Sequence, residues 1–306
     1  MNDYAAIMDS TERIMYSLRA LYFSYGYRRY RMDKFEDYDL YGKNRDFLVS
    51  DRLITFTDGS GRLKALKPDV TLSVLRNSHG LSDGIEKYCY NESVYRMGPD
   101  GSFHEIPQSG IECIGSVDEA CIAEVLLLAA KSLAVLSAEY VLSLSELTVL
   151  FALISAAAAD EKDRALLFKA AAKRSLGEID EIALSSGKKA QAAALKTLLT
   201  LPSDPKEAME LLLQLPLAGA ERQAAERFAR LILGLCEEGL RVEPDFTIFG
   251  DTSYYNGIVF KGFLKDVPNS VLSGGQYGGL MRSMGLQGEA AGFAVYLDRL
   301  SEAGGA

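Results

Sequence analysis

The chain has no tryptophan and only two histidines and four cysteines among its 306 residues. With so few histidines and no CxxC spacing, the usual zinc sites are excluded, and the scattered thiols supply no disulfide framework. Cys89, Cys113 and Cys121 read as small buried apolar residues in a reducing compartment. No run reaches the ~20 apolar residues of a membrane span. The opening MNDYAAIMDS lacks the basic region and apolar core of an export signal. A cytoplasmic location, with no membrane partner, is therefore expected. An excess of basic residues is missing too. The net charge of −9 argues against a broad nucleic-acid surface, which relies on Lys and Arg to neutralise phosphates. The one dense basic patch, Arg28, Arg29 and Arg31, is followed at once by acids and reads as a solvated strand edge.

What remains is an ordinary globular composition, 48% hydrophobic and 25% charged, long enough for one large domain or two smaller ones. Apolar positions Ile14, Leu18, Leu21, Tyr22 and Tyr25 recur at helical spacing, with Ser10 as the expected N-cap and Gly26 as the stop. ITFTDGSGRLKAL is a hairpin signature with its turn at Asp58-Gly59-Ser60-Gly61. Residues 118 to 138 form an Ala/Leu-rich helix, and EYVLSLSEL a strand. From 148 to 239 the β signal fades into amphipathic helices broken near Gly187, Pro202–Pro205 and Pro216–Gly219. This stretch reads as a helical insertion between two parts of a core, 1–147 and 240–306.

The stretch carrying chemistry runs from Glu86 to Gly115. Two aromatic and branched runs, KYCYNESVYR and FHEIPQSGIECIG, flank Gly98-Pro99-Asp100-Gly101 and predict two antiparallel strands. The second strand carries Glu105, Gln108 and Glu112, polar groups unusual in a purely structural strand. Gln108 and Glu112 are an even number apart and share a face. Upstream, Pro68-Asp69-Val70-Thr71 opens a helical run, which makes Asp69 or Thr71 a candidate cap. A carboxylate and a hydroxyl two residues apart also suit an ammonium ligand.

These segments resemble the class II aminoacyl-tRNA synthetases, histidyl branch. Tyr95–Arg96, the loop Met97–Ser102, and Phe103 through Gln108, Gly110 and Glu112 match motif 2, "FR" followed by "F-x-Q-x-G-x-E". Leu66-Lys67-Pro68-Asp69-Val70-Thr71 resembles "L-R-P-E-G-T". Tyr254-Tyr255-Asn256-Gly257 with Val259-Phe260 resembles "R-G-L-D-Y-Y-N-G-x-V-F". Gly274, Gly275, Tyr277, Gly279 and Leu280 follow "GGRYDGL". Gly292, Phe293, Ala294 and Arg299 follow motif 3, "G-F-A-x-G-x-E-R-L". The resemblance spans roughly residues 10 to 300. It implies an α+β fold, a class II synthetase-like, mainly antiparallel sheet flanked by helices with a helical insertion, dimeric through the N-terminal region.

The departures fall on the nucleotide chemistry. The family's catalytic arginine falls at Gly250, a second ATP-contacting arginine at Ser102, and the acidic position after motif 2 at Gly98. Losing one pre-positioned charge donor costs about 10²–10³ in rate. The pocket for the amino acid is kept. By resemblance, Asp69 and Thr71 hold the α-amine, Arg96 and Gln108 the carboxylate, and Glu112 with Tyr255 the imidazole, with Tyr254 as a wall. Asp69 is one methylene shorter than the usual Glu.

The sequence ends soon after motif 3, short of the anticodon-binding domain, so no tRNA partner is expected. A synthetase-like core of this kind resembles the regulatory subunits of ATP phosphoribosyltransferase. That resemblance implies a hetero-oligomer with a short catalytic subunit, feedback by L-histidine, no cofactor, no metal and no catalysis by this chain. The rival is an active histidyl-tRNA synthetase-like ligase, whose missing arginine only Lys67, Lys261 or Arg282 lies near enough to replace. A scaffold that senses nothing is a third reading.

Overall fold

The computed structural model describes residues 7–44, 48, 52–78, 84–249 and 255–300. In chain order, helix α1 (Ser10–Ser24) leads into the two-residue strand β1 (Arg28–Arg29). Strand β2 (Phe35–Asp37), helix α2 (Tyr38–Gly42) and strands β3 (Thr55–Thr57) and β4 (Leu63–Leu66) follow. Then come helix α3 (Thr71–Asn77), the long strands β5 (Ile85–Met97) and β6 (Phe103–Gly115), and helix α4 (Glu119–Leu136). Strand β7 (Tyr140–Glu146) precedes six helices: α5 (Leu147–Ala157), α6 (Glu161–Ala172), α7 (Leu176–Ser186), α8 (Lys189–Leu199), α9 (Pro205–Gln214) and α10 (Gly219–Glu237). The chain closes with β8 (Val242–Pro244), β9 (Ile258–Leu264), β10 (Leu272–Gln276), helix α11 (Gly278–Ser283) and β11 (Glu289–Tyr296).

Two compact units divide these elements. The first holds the chain up to Tyr140, Ser253–Tyr255 and everything from Gly262; the second holds Val141–Thr252 and Asn256–Lys261. In the first unit the strands run β1-β5-β6-β11-β10, with the end of β9 beside β10 through Val271 N–H to the Gly262 carbonyl at 2.8 Å. Only β1 is parallel to its neighbour; β5, β6, β11 and β10 are antiparallel throughout. A small second sheet, β2-β4-β3, is antiparallel as well. In the second unit β7 and β8 pair in parallel, Leu142 opposite Val242. The six helices there pack around Leu150, Leu195, Leu212, Phe228 and Ile232, all fully buried.

Helix α1 starts one residue earlier than the sequence implied. Asp9, not Ser10, is the N-cap, and it forms a capping box with Glu12: the Glu12 N–H donates to the Asp9 carboxylate at 2.7 Å and Asp9 N–H to the Glu12 carboxylate at 3.1 Å. Two carboxylates in reciprocal geometry satisfy two backbone donors, which outweighs a single hydroxyl. Gly26, at φ +82°, ends the segment in the left-handed region. Arg28 and Arg29 lie exposed on the edge strand, as their charge pattern implied.

The two faces of the first unit's sheet have different neighbours. Phe293 of β11 meets Tyr22 of α1 edge-to-face at 6.0 Å, and the Tyr22 hydroxyl bonds Ser132 of α4 at 3.0 Å, so α1 and α4 cover that face. Side chains alternate along a strand. Tyr88, Tyr90 and Glu92 of β5, Gln108, Gly110 and Glu112 of β6, and Gly292, Ala294 and Tyr296 of β11 therefore share the other face, in register row by row. Against that face packs an apolar cluster including Tyr41, Ala65, Leu72, Leu75, Tyr90, Tyr277 and Leu280.

Candidate functional site

Glu112 is the centre of this second face. It is 2% exposed and opposes Gly292 on one side and Tyr88 on the other. Its two oxygens are both taken: the Thr71 hydroxyl donates to Oε1 at 2.6 Å, and the Tyr277 hydroxyl donates to Oε2. Burial pushes the Glu112 carboxyl up to about 8, against the pull of those two hydroxyls, and neighbouring Asp69 adds to the rise. The shift favours the neutral acid over the carboxylate near neutral pH.

Room for this carboxyl comes from two glycines. A Cβ on Gly292 would strike the Glu112 carboxylate and the Ile111 carbonyl. One on Gly110 would strike the Tyr90 ring and the Phe293 carbonyl. The glycine of Q-x-G-x-E is there because Tyr90 lies across it. That tyrosine walls the site beside Glu112 and Asp69, and burial, reinforced by their charges, raises its hydroxyl well above the ordinary value.

Asp69 stands just before α3. One oxygen, Oδ1, accepts the Leu72 N–H at 2.9 Å, so the capping role is real. Burial raises its carboxyl, opposed by that backbone bond and by the Arg96 guanidinium. Arg96 itself donates through Nε to the Pro68 carbonyl at 3.3 Å and has no ion pair among the described residues. Gln108 is 5% exposed, and its amide makes no hydrogen bond among the described residues. An amide and a guanidinium are both hydrogen-bond donors suited to a carboxylate. Tyr255 is partly buried against the apolar cluster. Tyr254 and Gly250 lie outside the described residues.

Thr71, Glu112, Asp69 and Arg96 therefore come together on one face, with Gln108 two rows along β6. Thr71 points to Glu112 rather than standing free beside Asp69. Sequence reasoning missed Tyr277 as a partner of Glu112, although it stands in the GG-x-Y segment. It also missed the buried ion pair of Lys67 with Glu92, whose side chains are 2% and 14% exposed. That pair removes Lys67 as a stand-in for an absent arginine. Arg282 is likewise engaged, donating to Glu289 at 2.8 Å.

The hairpin turn between β5 and β6 is short and folded on itself. Gly98 N–H donates to the Ser102 carbonyl at 2.8 Å, and the Ser102 hydroxyl bonds both Asp100 at 2.6 Å and His104 at 2.7 Å. A Cβ on Gly98 would lie within 3 Å of all three side chains, nearest to Asp100 at 2.8 Å. A side chain at this position would have to displace that Asp100–Ser102–His104 network. Arg52 clamps the same turn, donating to the carbonyls of Gly98 at 3.1 Å and Pro99 at 3.0 Å.

A class II synthetase-like core, with a motif 2 hairpin and a polar cluster centred on the buried Glu112, is what this fold and site define. Residues 6–300 match the family model for histidyl-tRNA synthetase. The chain belongs to the histidyl-tRNA synthetase family.

Its curated relatives include the ATP phosphoribosyltransferase regulatory subunit of Clostridium acetobutylicum, 26% identical over 92% of this chain and 72% of the relative. That of Alkaliphilus metalliredigens is 27% identical over 91% and 72%. Among solved structures, a Bacillus halodurans ATP phosphoribosyltransferase regulatory subunit/histidyl-tRNA synthetase superposes with TM-score 0.81 at 23% identity, covering 97% of this chain and 79% of that one. A chain of the Thermotoga maritima ATP phosphoribosyl transferase (HisG:HisZ) complex gives 0.73 at 17% identity, covering 93% and 96%. Histidyl-tRNA synthetase of Nostoc sp. PCC 7120 gives 0.79 at 16%, covering 95% and 70%. These structural likenesses establish the fold.

Proposed function

We propose that this chain is a non-catalytic regulatory subunit of ATP phosphoribosyltransferase, which joins a short catalytic subunit in the first step of histidine biosynthesis and makes it responsive to histidine. The observation that carries the reading is the contrast between two sets of residues. Asp69, Thr71, Arg96 and Glu112, polar groups suited to an amino acid, are assembled on one face, while in the sequence the positions that the family pattern assigns to ATP are Gly98, Ser102 and Gly250. The relatives named above, aligned over nine-tenths of the chain, support the same assignment.

In this reading L-histidine occupies the pocket with its ammonium at Asp69, its carboxylate at Arg96 and the Gln108 amide, and its imidazole between Glu112 and Tyr255, with Tyr254 alongside. Thr71 acts through Glu112 as well as beside the amine. Glu112 accepts a ring N–H when ionised and donates to the bare ring nitrogen when neutral, so one shared proton serves either form. Feedback follows by linkage: histidine binds one state of the complex better and shifts its population by no more than that difference. A homodimeric core and a cytoplasmic location belong to the same proposal. No helix among the described residues is long and apolar enough to cross a membrane.

The test is calorimetric titration with L-histidine beside ATP and magnesium. Saturable histidine binding without ATP binding is expected. Binding of both, followed by pyrophosphate exchange, would establish an active ligase instead. In the assembled complex, Glu112→Ala abolishes feedback while sparing assembly; histidine inhibition that survives in this variant sinks the assignment.

A further inference from the structure

Motif 3 of the family pattern, G-F-A-x-G-x-E-R-L, has a second glycine where this chain has Tyr296. That position closes β11, opposite Gln108. By strand alternation the Tyr296 side chain emerges on the face it shares with Gly292 and Ala294. The Arg299 guanidinium lies over the Tyr296 ring at 4.2 Å from its centroid. Both partners are pinned. The Tyr296 hydroxyl bonds Ser273 on the neighbouring strand at 2.6 Å. Arg299 donates to the Ser270 carbonyl and approaches its hydroxyl at 3.4 Å.

An arginine face is a stacking platform for flat π systems, heteroaromatic bases included. The glycine that the family pattern has at this position carries no side chain to lay over that guanidinium. Here the chain's own ring covers it, beside the row of the pocket that Gln108 occupies.

We infer that Tyr296 is a specificity-determining residue: its ring takes the base-stacking place on Arg299 and confines the pocket to a ligand the size of a free amino acid, excluding one that carries a nucleoside. The inference rests on the reading of the site as an amino-acid pocket, which it deepens by naming what the pocket rejects. It also makes the loss of nucleotide binding a matter of filled space as well as of missing charge. Restoring one arginine at Ser102 therefore does not by itself restore ATP binding.

The experiment uses the full chain, with adenosine and L-histidine as separate probes read by calorimetry and ligand-observed NMR. Tyr296→Gly uncovers Arg299, and Tyr296→Phe keeps the ring while losing only the Ser273 bond. Adenosine binding about tenfold tighter in Tyr296→Gly than in the unaltered chain is expected, the scale of a single cation–π stack, with Tyr296→Phe unchanged. Equal adenosine affinity in all three overturns the inference. The histidine probe reports on the amino-acid reading alone: failure to bind it in the unaltered chain removes that reading, while the adenosine comparison still decides whether Tyr296 covers a base-stacking site. A circular dichroism spectrum of Tyr296→Gly that matches the parent excludes misfolding as the cause of a negative result.

Discussion

Replacing Glu112 by glutamine isolates the electrostatics of the pocket without changing its shape. The amide oxygen still accepts one hydroxyl of the Thr71–Tyr277 pair, and the amide group fills the same space over Gly292. What disappears is the titration. Burial raises this carboxyl from 4.5 to about 8. The sign follows from proton counting. Between these values the folded chain keeps a proton that the unfolded chain has given up, so stability is full below the lower value and falls as pH rises through the higher one. A tenfold change in proton affinity corresponds to about 1.4 kcal/mol, so the whole window contributes on the order of a few kcal/mol. Asp69, also raised, adds a loss of the same sign that both proteins share. Urea unfolding at pH 5, 6, 7 and 8, followed by circular dichroism and tyrosine fluorescence because the chain lacks tryptophan, measures the difference. Glu112→Gln should gain on the parent by a few kcal/mol between pH 5 and pH 8. Parallel profiles for the two proteins would refute the claim that Glu112 is held neutral by burial.

Other perturbations separate roles that the site combines. Asp69→Asn keeps the oxygen that accepts the Leu72 N–H and removes the raised carboxyl, so thermal stability at neutral pH is held or increased, while loss of the charged contact to an ammonium weakens histidine binding by roughly 1.5–3 kcal/mol; calorimetry and melting curves on one sample read both. Gly292→Ala places a methyl group against Glu112 and destabilises by about 1–3 kcal/mol through overpacking, with histidine binding abolished. Lys67→Met strands the buried Glu92 carboxylate and costs about 3–5 kcal/mol, whereas Lys67→Met with Glu92→Leu recovers most of it; a double-mutant cycle in urea measures the coupling.

The parts of the fold set by local chemistry were legible in the chain. The Asp58–Gly61 turn closes β3 and β4 with Gly61 at φ +81°. The long hairpin pairs Met97 with Phe103, as its Pro/Gly cluster implied. Gly187, in the left-handed region, ends α7. The face shared by Gln108 and Glu112 followed from the period of a strand alone. The contacts that complete the site were hidden by distance along the chain. Tyr277 and Glu112 are 165 positions apart, and nothing local to either announces the bond. Lys67 looked like an available cation because its partner Glu92, 25 positions on, becomes its neighbour only when β5 comes beside the end of β4. The two-residue strand β1 is held by a parallel pairing with β5 rather than by any preference of Arg28 and Arg29.

The central claim is tested most directly by reconstitution. A short-form ATP phosphoribosyltransferase catalytic subunit is assayed for formation of the phosphoribosyl-ATP product alone, with this chain, and with this chain plus L-histidine. The account predicts activity that depends on added chain and is inhibited by histidine, with inhibition lost in Glu112→Ala. A catalytic subunit whose rate is indifferent to the chain, together with histidine- and ATP-dependent pyrophosphate exchange by the chain alone, would contradict it.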